Sequence, residues 1–443
     1  MSISTYRRVV PAVVIAWLIL ALPANPAAFQ LYPLLRVPLE IFLLLLAGSI
    51  LRCRAFFAIR LLSSLLLVLI LFLKLADIGT GVAFQRPFNP YLDTKLFADG
   101  WNLLSGSVGR MEAAAYMVTA LLLLLTVGLL FFWSFGALET FSRKARHRVS
   151  IFAAVSLAAS SAALALFPGT VPLSMDAGYS LANRVSLIRQ SIADLAAFEK
   201  DLETDPIDGI PESRLLASLT GTDVVIIFVE SYGRDVIEDE RYAERTATRL
   251  RQVERQISEA GLHIRSGWLT SPTIGGLSWL AHGTLLSGLW TDSQARYDRM
   301  IASRRKTLNR LFRERGWRTT AIMPAITMAW PESGYFGYDS VHDAAGLGYR
   351  GKPFNWVTMP DQYTLASFER LERTHGDDPI MAEIALISSH APWTPVPQLI
   401  DWDQVGDGRA FDAQAQTGDP PSVVWSDPES IRQQYQASID YVL

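Results

Sequence analysis

Cysteine and charged residues are both scarce in this chain of 443 residues. The single cysteine, Cys53, excludes an intramolecular disulfide and any multi-cysteine zinc site. Charged residues make up 19% of the sequence and the formal net charge is −3, whereas a nucleic-acid-binding surface needs an excess of basic residues. The composition therefore argues against a disulfide scaffold, a zinc finger and a nucleic-acid partner.

Apolar residues dominate the chain up to about residue 170, and the part beyond about residue 200 has an ordinary globular composition. A helix needs roughly 20 mostly apolar residues to cross a hydrocarbon core of ~30 Å. Five segments meet or approach this length, at about 9–29, 37–51, 61–80, 113–138 and 149–168. We therefore predict a transmembrane domain of five helices over residues 1–170, followed by a separate domain.

Basic residues in the short connections predict the orientation of this domain, because the cytoplasmic side carries the excess of Lys and Arg. Nine lie on the side of the N-terminus: Arg7, Arg8, Arg52, Arg54, Arg60, Arg143, Lys144, Arg146 and Arg148. Four lie on the other side: Arg36, Arg86, Lys95 and Arg110. We expect a multi-pass protein of the cell (inner) membrane with a cytoplasmic N-terminus and a periplasmic or otherwise extracytoplasmic C-terminal half.

The ionisable residues inside the predicted spans are Glu40, Lys74 and Asp77, all near span ends, where long side chains reach the interface. The spans are therefore expected to anchor the protein and not to form a transport pathway. An amphipathic helix is predicted from Leu181 to Leu202, and an acidic stretch with Pro and Gly follows it. Residues 171–215 are predicted to be a linker helix and a domain boundary.

Strand and helix patterns alternate over residues 216–443, which predicts an α/β domain with a mostly parallel central sheet. Apolar and β-branched runs predict strands at Val224–Val229, Thr319–Met323 and Ile380–Ser388. Amphipathic patterns that stop at a glycine predict helices at Tyr242–Ala260 and Lys306–Arg315.

Two predicted strands end at residues that can bind a metal ion or a phosphate, Glu230 and His390. Ligands of open α/β sheets bind beyond the carboxyl ends of the strands. A single residue of this kind is as readily a helix cap, a surface charge or a structural histidine. Their occurrence at two strand ends favours a joint site.

The segment from Ser271 to Leu289 supplies a candidate nucleophile. Pro272 and two glycines precede an apolar run that predicts a helix from about Ser278. A hydroxyl at a helix N-terminus faces unpaired N–H groups and the positive end of the helix dipole, which stabilise an alkoxide and an anionic phosphoryl group. A serine in this position is also a common helix cap. His282 follows four residues later, on the same helical face.

These segments resemble the sulfatase/alkaline phosphatase superfamily, and within it the membrane-anchored branch that contains lipoteichoic acid synthase and lipid A phosphoethanolamine transferase. Members of that branch have five spans followed by an extracytoplasmic α/β domain. Their first strand ends in an acidic metal ligand, which matches Glu230. The family's nucleophile motif, Cys or Ser followed by x-Pro-Ser-Arg and a closing Leu-x-Thr-Gly, is similar in spacing to Ser278–His282 and Leu285–Gly288.

The resemblance implies a role for each matched residue. Ser278 maps onto the nucleophile, with Thr273 as the less favoured candidate. Glu230 and Ser278 map onto ligands of a divalent metal ion, and oxygen and imidazole ligands suit Mn²⁺, Mg²⁺ or Zn²⁺ alike. Three residues match the family's substrate-binding positions. They are His390 within Ser388–Trp393, Trp330 within Met328–Asp343, and His282.

Two departures from the family pattern affect the expected chemistry. Leu280 and His282 stand where the family has the Pro and Arg that formylglycine formation requires, which implies a plain hydroxyl nucleophile and disfavours sulfate-ester hydrolysis. The family's Asp-His metal pair, which follows a later strand, does not occur after His390. The domain is therefore expected either to be truncated at its C-terminus or to lack half of its metal site.

The leading hypothesis is a membrane-anchored, metal-dependent transferase. It would move a phospho-alcohol head group, of the phosphoglycerol or phosphoethanolamine type, from a phospholipid donor to an extracytoplasmic acceptor glycan or lipid through a Ser or Thr phospho-enzyme. Two alternatives stay open. One is a sulfatase-like hydrolase of phosphate or sulfate esters, and the other is a non-catalytic membrane protein that binds an anionic head group through a degenerate metal site.

The predicted orientation can be tested with an alkaline phosphatase reporter, which is active only outside the cytoplasm. A fusion placed after residue 170 is expected to be active, and a fusion placed in the connection around Arg54 is expected to be inactive. Inactivity of the first fusion would contradict the orientation.

Overall fold

The computed structural model describes residues 7–23, 36–167, 170–374 and 378–443. The chain divides into two compact units. The first, here called the membrane unit, comprises Met1–Ala197 and the short segment Thr273–Gly276. The second, here called the α/β unit, comprises Phe198–Pro272 and Leu277–Leu443. The helix Asp176–Glu203 runs from the first unit into the second and contains the predicted linker helix.

Five apolar helices occupy the five positions predicted from the sequence: Val10–Ala21, Leu39–Ile50, Cys53–Phe84, Arg110–Gly136 and Arg143–Leu166. The last three are long and apolar enough to cross a membrane, which indicates a membrane protein. The first two have 12 residues each, about 18 Å of helix, and are shorter than the hydrocarbon core of ~30 Å. Residues 24–29 of the first predicted span lie outside the described residues. The count of five spans stays a prediction.

The remaining elements of the membrane unit are short. The helix Leu96–Val108 precedes Arg110–Gly136, and a 3₁₀ turn at Ala137–Thr140 follows it. Strand β1 (Val37–Pro38) pairs in parallel with strand β2 (Leu173–Ser174). Aromatic and aliphatic side chains form the core, with Phe56, Phe131 and Phe135 almost fully buried.

Two charged residues near the ends of predicted spans are buried in protein. Lys74 is 7% exposed and donates hydrogen bonds of 2.6 Å to the carbonyl oxygens of Leu20 and Leu22. Asp77 is 8% exposed, and its Oδ2 atom lies 2.5 Å from Nη2 of Arg184. The expectation that Lys74 and Asp77 reach the interface is therefore wrong, because partners that are distant in sequence satisfy both charges inside the unit.

The α/β unit is built on a parallel sheet of four strands in the order β3-β6-β4-β5. These are β3 (Val224–Val229), β4 (Arg318–Met323), β5 (Ser340–Asp343) and β6 (Ile380–Leu386). The sequence predicted β3, β4 and β6 to within two residues at each end and missed β5. Strand β6 pairs with β3 on one edge and with β4 on the other. Consecutive residues along it are buried, so both of its faces are covered, in keeping with its almost entirely apolar sequence.

The α/β unit also contains the helices Arg234–Glu238, Ala243–Glu259, Ser278–Ser287, Gln294–Ile301, Leu308–Glu314, Ser333–Phe336, Asp361–Phe368, Pro421–Val424 and Pro428–Val442. Gly261 and Gly316 follow the predicted helices at φ angles of +75° and +93°, a backbone conformation that favours glycine. The helix that starts at Ser278 is confirmed at the predicted residue.

The helix Ser278–Ser287 is held by apolar packing. Leu280 is 0% exposed and Leu286 is 2% exposed, and both belong to a buried cluster with Met300, Phe312 and Met381. Full burial of a leucine side chain stabilises a fold by roughly 1.5–3 kcal/mol. Since Met381 lies on β6, this packing sets the position of the helix relative to the central strand.

The buried pair between Asp77 and Arg184 generates a testable prediction. Asp77→Asn leaves the Arg184 charge buried without its counter-charge, and breaking a buried pair in this way typically costs about 3–5 kcal/mol. We expect a lower thermal midpoint for the full chain in detergent micelles, measured by circular dichroism. Asp194→Asn, at an exposed position of the helix Asp176–Glu203, is the matched control and should leave the midpoint unchanged. Equal midpoints for all three proteins would contradict a stabilising role of the pair.

Candidate active site

A cavity of about 390 Å³ lies at the carboxyl ends of strands β3, β4 and β6. Residues at or just beyond those strand ends line it, among them Glu230, Met323 and Ile387. Its volume falls within the range of roughly 300–1,000 Å³ that small-molecule sites occupy. The cavity is therefore a candidate ligand site at the edge of the sheet where open α/β sheets bind ligands.

Five of the six residues predicted for the site line this one cavity. They come from four separate segments of the chain: Glu230, Ser278, His282, Trp330 and His390. The sixth, Thr273, is not among the lining residues and falls in the short segment that groups with the membrane unit. Of the two predicted hydroxyl nucleophiles, Ser278 is therefore the one that lines this cavity.

Ser278 is the first residue of its helix and not the cap. The capping position belongs to Leu277, at a φ angle of +55°, and its side chain makes no capping hydrogen bond. Within the described part of the chain, the Ser278 hydroxyl has no hydrogen-bond partner. A half-buried hydroxyl is thus exposed to the cavity beside the N–H groups of the first helical turn.

His282 is held by a carboxylate and by a ring. Its Nδ1 atom lies 2.6 Å from Oε1 of Glu383, and its ring stacks on Phe228 with 3.7 Å between centroids. When Nδ1–H donates to the carboxylate, Nε2 is left as a hydrogen-bond acceptor. Helical side chains lean toward the N-terminus, so His282 leans toward Ser278, one turn earlier.

Glu383 also lines the cavity and is a candidate site residue that was not predicted from the sequence. It lies in the middle of β6, is 1% exposed, and its second oxygen accepts a hydrogen bond from the Tyr338 hydroxyl. Burial raises the pKa of Tyr338 well above its ordinary value, and the neighbouring Glu383 raises it further, so this hydroxyl remains a donor. One signal was present in the sequence: Glu383 is the only charged residue in Ile380–Leu386, and a buried charge requires partners.

Glu230 and His390 lie at adjacent strand ends. The Glu230 N–H donates to the Leu386 carbonyl at 3.1 Å, which continues the pairing of β3 with β6 by one residue. Among the described residues no side chain pairs with its half-buried carboxylate. His390 is exposed, and its ring stacks on that of Trp356 with 6.5 Å between centroids.

Asp361 supports the turn that leads from β6 to His390. Its Oδ1 atom accepts hydrogen bonds from the N–H groups of Ile387 at 2.8 Å and Ser388 at 3.0 Å. Burial raises the pKa of Asp361 to about 7, and the negative charge of Glu230 contributes in the same direction. Asp361 was not predicted from the sequence.

The residues of the cavity do not complete the predicted metal site. In residues 7–23, 36–167, 170–374 and 378–443, no group of three or more His, Cys, Asp and Glu side chains is placed to hold a metal ion. Glu383 is occupied by His282 and Tyr338, which leaves Glu230 as the one lining carboxylate without a hydrogen-bond partner among the described residues. Zn²⁺ and Mg²⁺ take four or more ligands. The divalent cofactor therefore stays a prediction.

No protein-family model matches the chain, and no match was found among curated proteins or among solved structures. The class of protein is accordingly defined by what the fold and the cavity contain. It is a membrane protein with an α/β unit in which a serine, a histidine and a buried glutamate are arranged around one cavity.

The raised pKa of Asp361 generates a prediction about stability. Because the folded value of about 7 lies above the ordinary value of ~3.9, the folded protein keeps a proton that the unfolded chain loses, and stability falls as the pH rises between these values. Asp361→Asn keeps an oxygen for the two N–H groups and does not titrate. We expect the thermal midpoint of the wild type to fall more between pH 5 and pH 8 than that of the variant, by tryptophan fluorescence of the full chain in micelles. An equal decline of the thermal midpoint in the wild type and the variant would contradict the raised pKa of Asp361.

Proposed function

We propose that the chain is a membrane-anchored transferase of the sulfatase/alkaline phosphatase superfamily. It moves a phospho-alcohol head group from a phospholipid to an acceptor glycan or lipid outside the cytoplasm. The single observation that carries this proposal is the cavity that brings Ser278, His282 and Glu383 together at the carboxyl ends of parallel strands. A hydroxyl nucleophile, a base and a group that orients the base are the parts of covalent catalysis by a hydroxyl.

The first half-reaction transfers the head group to the enzyme. The Ser278 oxygen attacks the phosphorus of the phosphodiester and forms a new P–O bond, while its proton passes to Nε2 of His282. The bond to the diacylglycerol oxygen breaks, and the imidazolium returns the proton to that oxygen. Glu383 stabilises the transient positive charge on His282 through the Nδ1 hydrogen bond.

The second half-reaction releases the head group. The acceptor hydroxyl gives its proton to His282 and attacks the phosphorus, and the Ser278 oxygen leaves and takes the proton back. His390, four residues beyond β6, would donate a hydrogen bond to a phosphate oxygen in both steps. Water in place of the acceptor hydroxyl gives the hydrolase alternative.

A lipid donor is consistent with the architecture of the chain. The α/β unit is joined to helices long and apolar enough to cross a membrane, through the helix Asp176–Glu203. A tethered enzyme meets its lipid substrate at the high local concentration that the linkage provides. In the non-catalytic alternative, the bond between His282 and Glu383 has a structural role only, because it satisfies one oxygen of a buried carboxylate.

The proposal is tested with the full chain reconstituted in vesicles that contain phospholipid with a labelled head group. Ser278→Ala is expected to lower diacylglycerol release by at least about 10³-fold, because the nucleophile is lost. His282→Ala is expected to lower it by about 10²–10⁴-fold, the usual contribution of acid–base catalysis. Glu383→Gln should lower kcat with little change in KM, because Glu383 acts through His282 and does not touch the substrate.

Thr273→Ala is the matched control, since it removes the other predicted hydroxyl, and it should retain wild-type turnover. Wild-type turnover by Ser278→Ala would overturn the proposal. Label that appears only on the free head group, and never on an acceptor, would favour the hydrolase. A wild type that is inert on every phospholipid tested would favour binding without catalysis.

A further inference from the structure

One wall of the cavity consists of aromatic rings in mutual contact. Trp330, Phe336 and Tyr338 line the cavity, and their ring centroids are separated by 5.9 Å, 6.1 Å and 6.1 Å. The three ring planes are tilted by 35° to 40° relative to one another. Trp279 and Trp356 line the same cavity and are more exposed. The lining of the cavity is therefore rich in aromatic rings.

The charged side chains of the cavity are negative. Its lining residues include two carboxylates, Glu230 and Glu383, and none of them is Lys or Arg. The hydrogen bonds of Glu383 are made within the protein, whereas the Glu230 carboxylate has no partner among the described residues. A third carboxylate, Glu332, lies close enough to the lining residue Tyr297 to raise its pKa, after the larger effect of burial. The cavity thus carries negative charge that a cationic ligand group would neutralise.

These two features favour a cationic group over a neutral polyol. A cation within about 6 Å of a tryptophan or tyrosine ring is attracted by the ring quadrupole, and aromatic walls of this kind bind ammonium groups. A head group of the phosphoglycerol type is anionic and would be repelled by the carboxylates. A head group with an ammonium is zwitterionic, so its positive end can meet Glu230 and the rings while its phosphate meets Ser278 and His390.

We infer that the cavity selects phospholipid head groups that carry an ammonium group, primary or quaternary, over polyol head groups. The ammonium lies against Trp330 and Tyr338 and is neutralised by Glu230. This inference deepens the function proposed above and rests on it for the assignment of the lipid as a donor. The selectivity itself is a property of binding and can be measured without turnover.

The test is calorimetric binding to the full chain in maltoside micelles, with a chelator present so that a bound metal ion does not contribute. The probes are phosphoethanolamine, phosphocholine and sn-glycerol 3-phosphate. We expect the two ammonium compounds to bind at least about 10-fold more tightly than glycerol 3-phosphate, since that ratio corresponds to about 1.4 kcal/mol. The comparison between the two ammonium compounds distinguishes a primary from a quaternary ammonium ligand.

Two substitutions locate the ammonium site. Trp330→Leu should weaken the binding of the ammonium compounds about 10-fold and leave the affinity for glycerol 3-phosphate unchanged. Glu230→Gln should weaken the binding of the ammonium compounds and strengthen the binding of glycerol 3-phosphate, because a negative charge is removed from the cavity. Trp402→Leu, at an exposed tryptophan that does not line the cavity, is the matched control and should have no effect.

Failure of this inference can be distinguished from failure of the proposed function. The inference is overturned if glycerol 3-phosphate binds as tightly as the ammonium compounds. It is also overturned if neither ammonium compound binds. A Ser278-dependent turnover of polyol lipids alone would also overturn it and leave the transferase intact. Ammonium selectivity that persists in a wild type without turnover would support the inference and overturn the transferase.

Discussion

The hydrogen bond between His282 and Glu383 joins the helix that carries Ser278 to the central strand of the sheet. Glu383 is almost fully buried, and a buried carboxylate is tolerated only when its oxygens are satisfied. His282 occupies one oxygen and Tyr338 the other. The bond therefore contributes to the fold and to the site at once, because the partner that the sheet requires is the imidazole that faces the cavity.

The other residues of the site lie together because the strands of the sheet are parallel. Strands β3, β4 and β6 end at the same edge, so Glu230, Met323 and His390 line one cavity there although they are far apart in sequence. Asp361 then holds the turn after β6 through two backbone N–H groups. The membrane unit follows the same rule for buried charge, since Asp77 is paired with Arg184 and Lys74 with backbone carbonyls.

Local patterns account for the features that the sequence could predict. Strands β3, β4 and β6 have enough apolar residues to be recognised, and the helix at Ser278 follows directly from the Pro and Gly residues before an apolar run. Glu230 and His390 were found because each stands immediately after a strong strand. The five apolar helices were located for the same reason, from long runs of Leu, Ala, Val and Phe.

The features that escaped prediction depend on long-range contacts or on short elements. Glu383 and His282 are separated by 101 residues, and no local pattern relates them. Asp77 and Arg184 are 107 residues apart. The sequence alone therefore did not show this partner, and Asp77 was predicted to be an interfacial charge. Strand β5 has only four residues, so its periodicity was too brief to recognise.

The most direct measurement is a rapid acid quench of the full chain during turnover of labelled phospholipid, followed by mass spectrometry of its peptides. Covalent catalysis by Ser278 predicts a peptide that carries the phosphorylated head group on Ser278 and that disappears when acceptor is added. Turnover accompanied by an unmodified Ser278, or by a head group attached to another side chain, would contradict it.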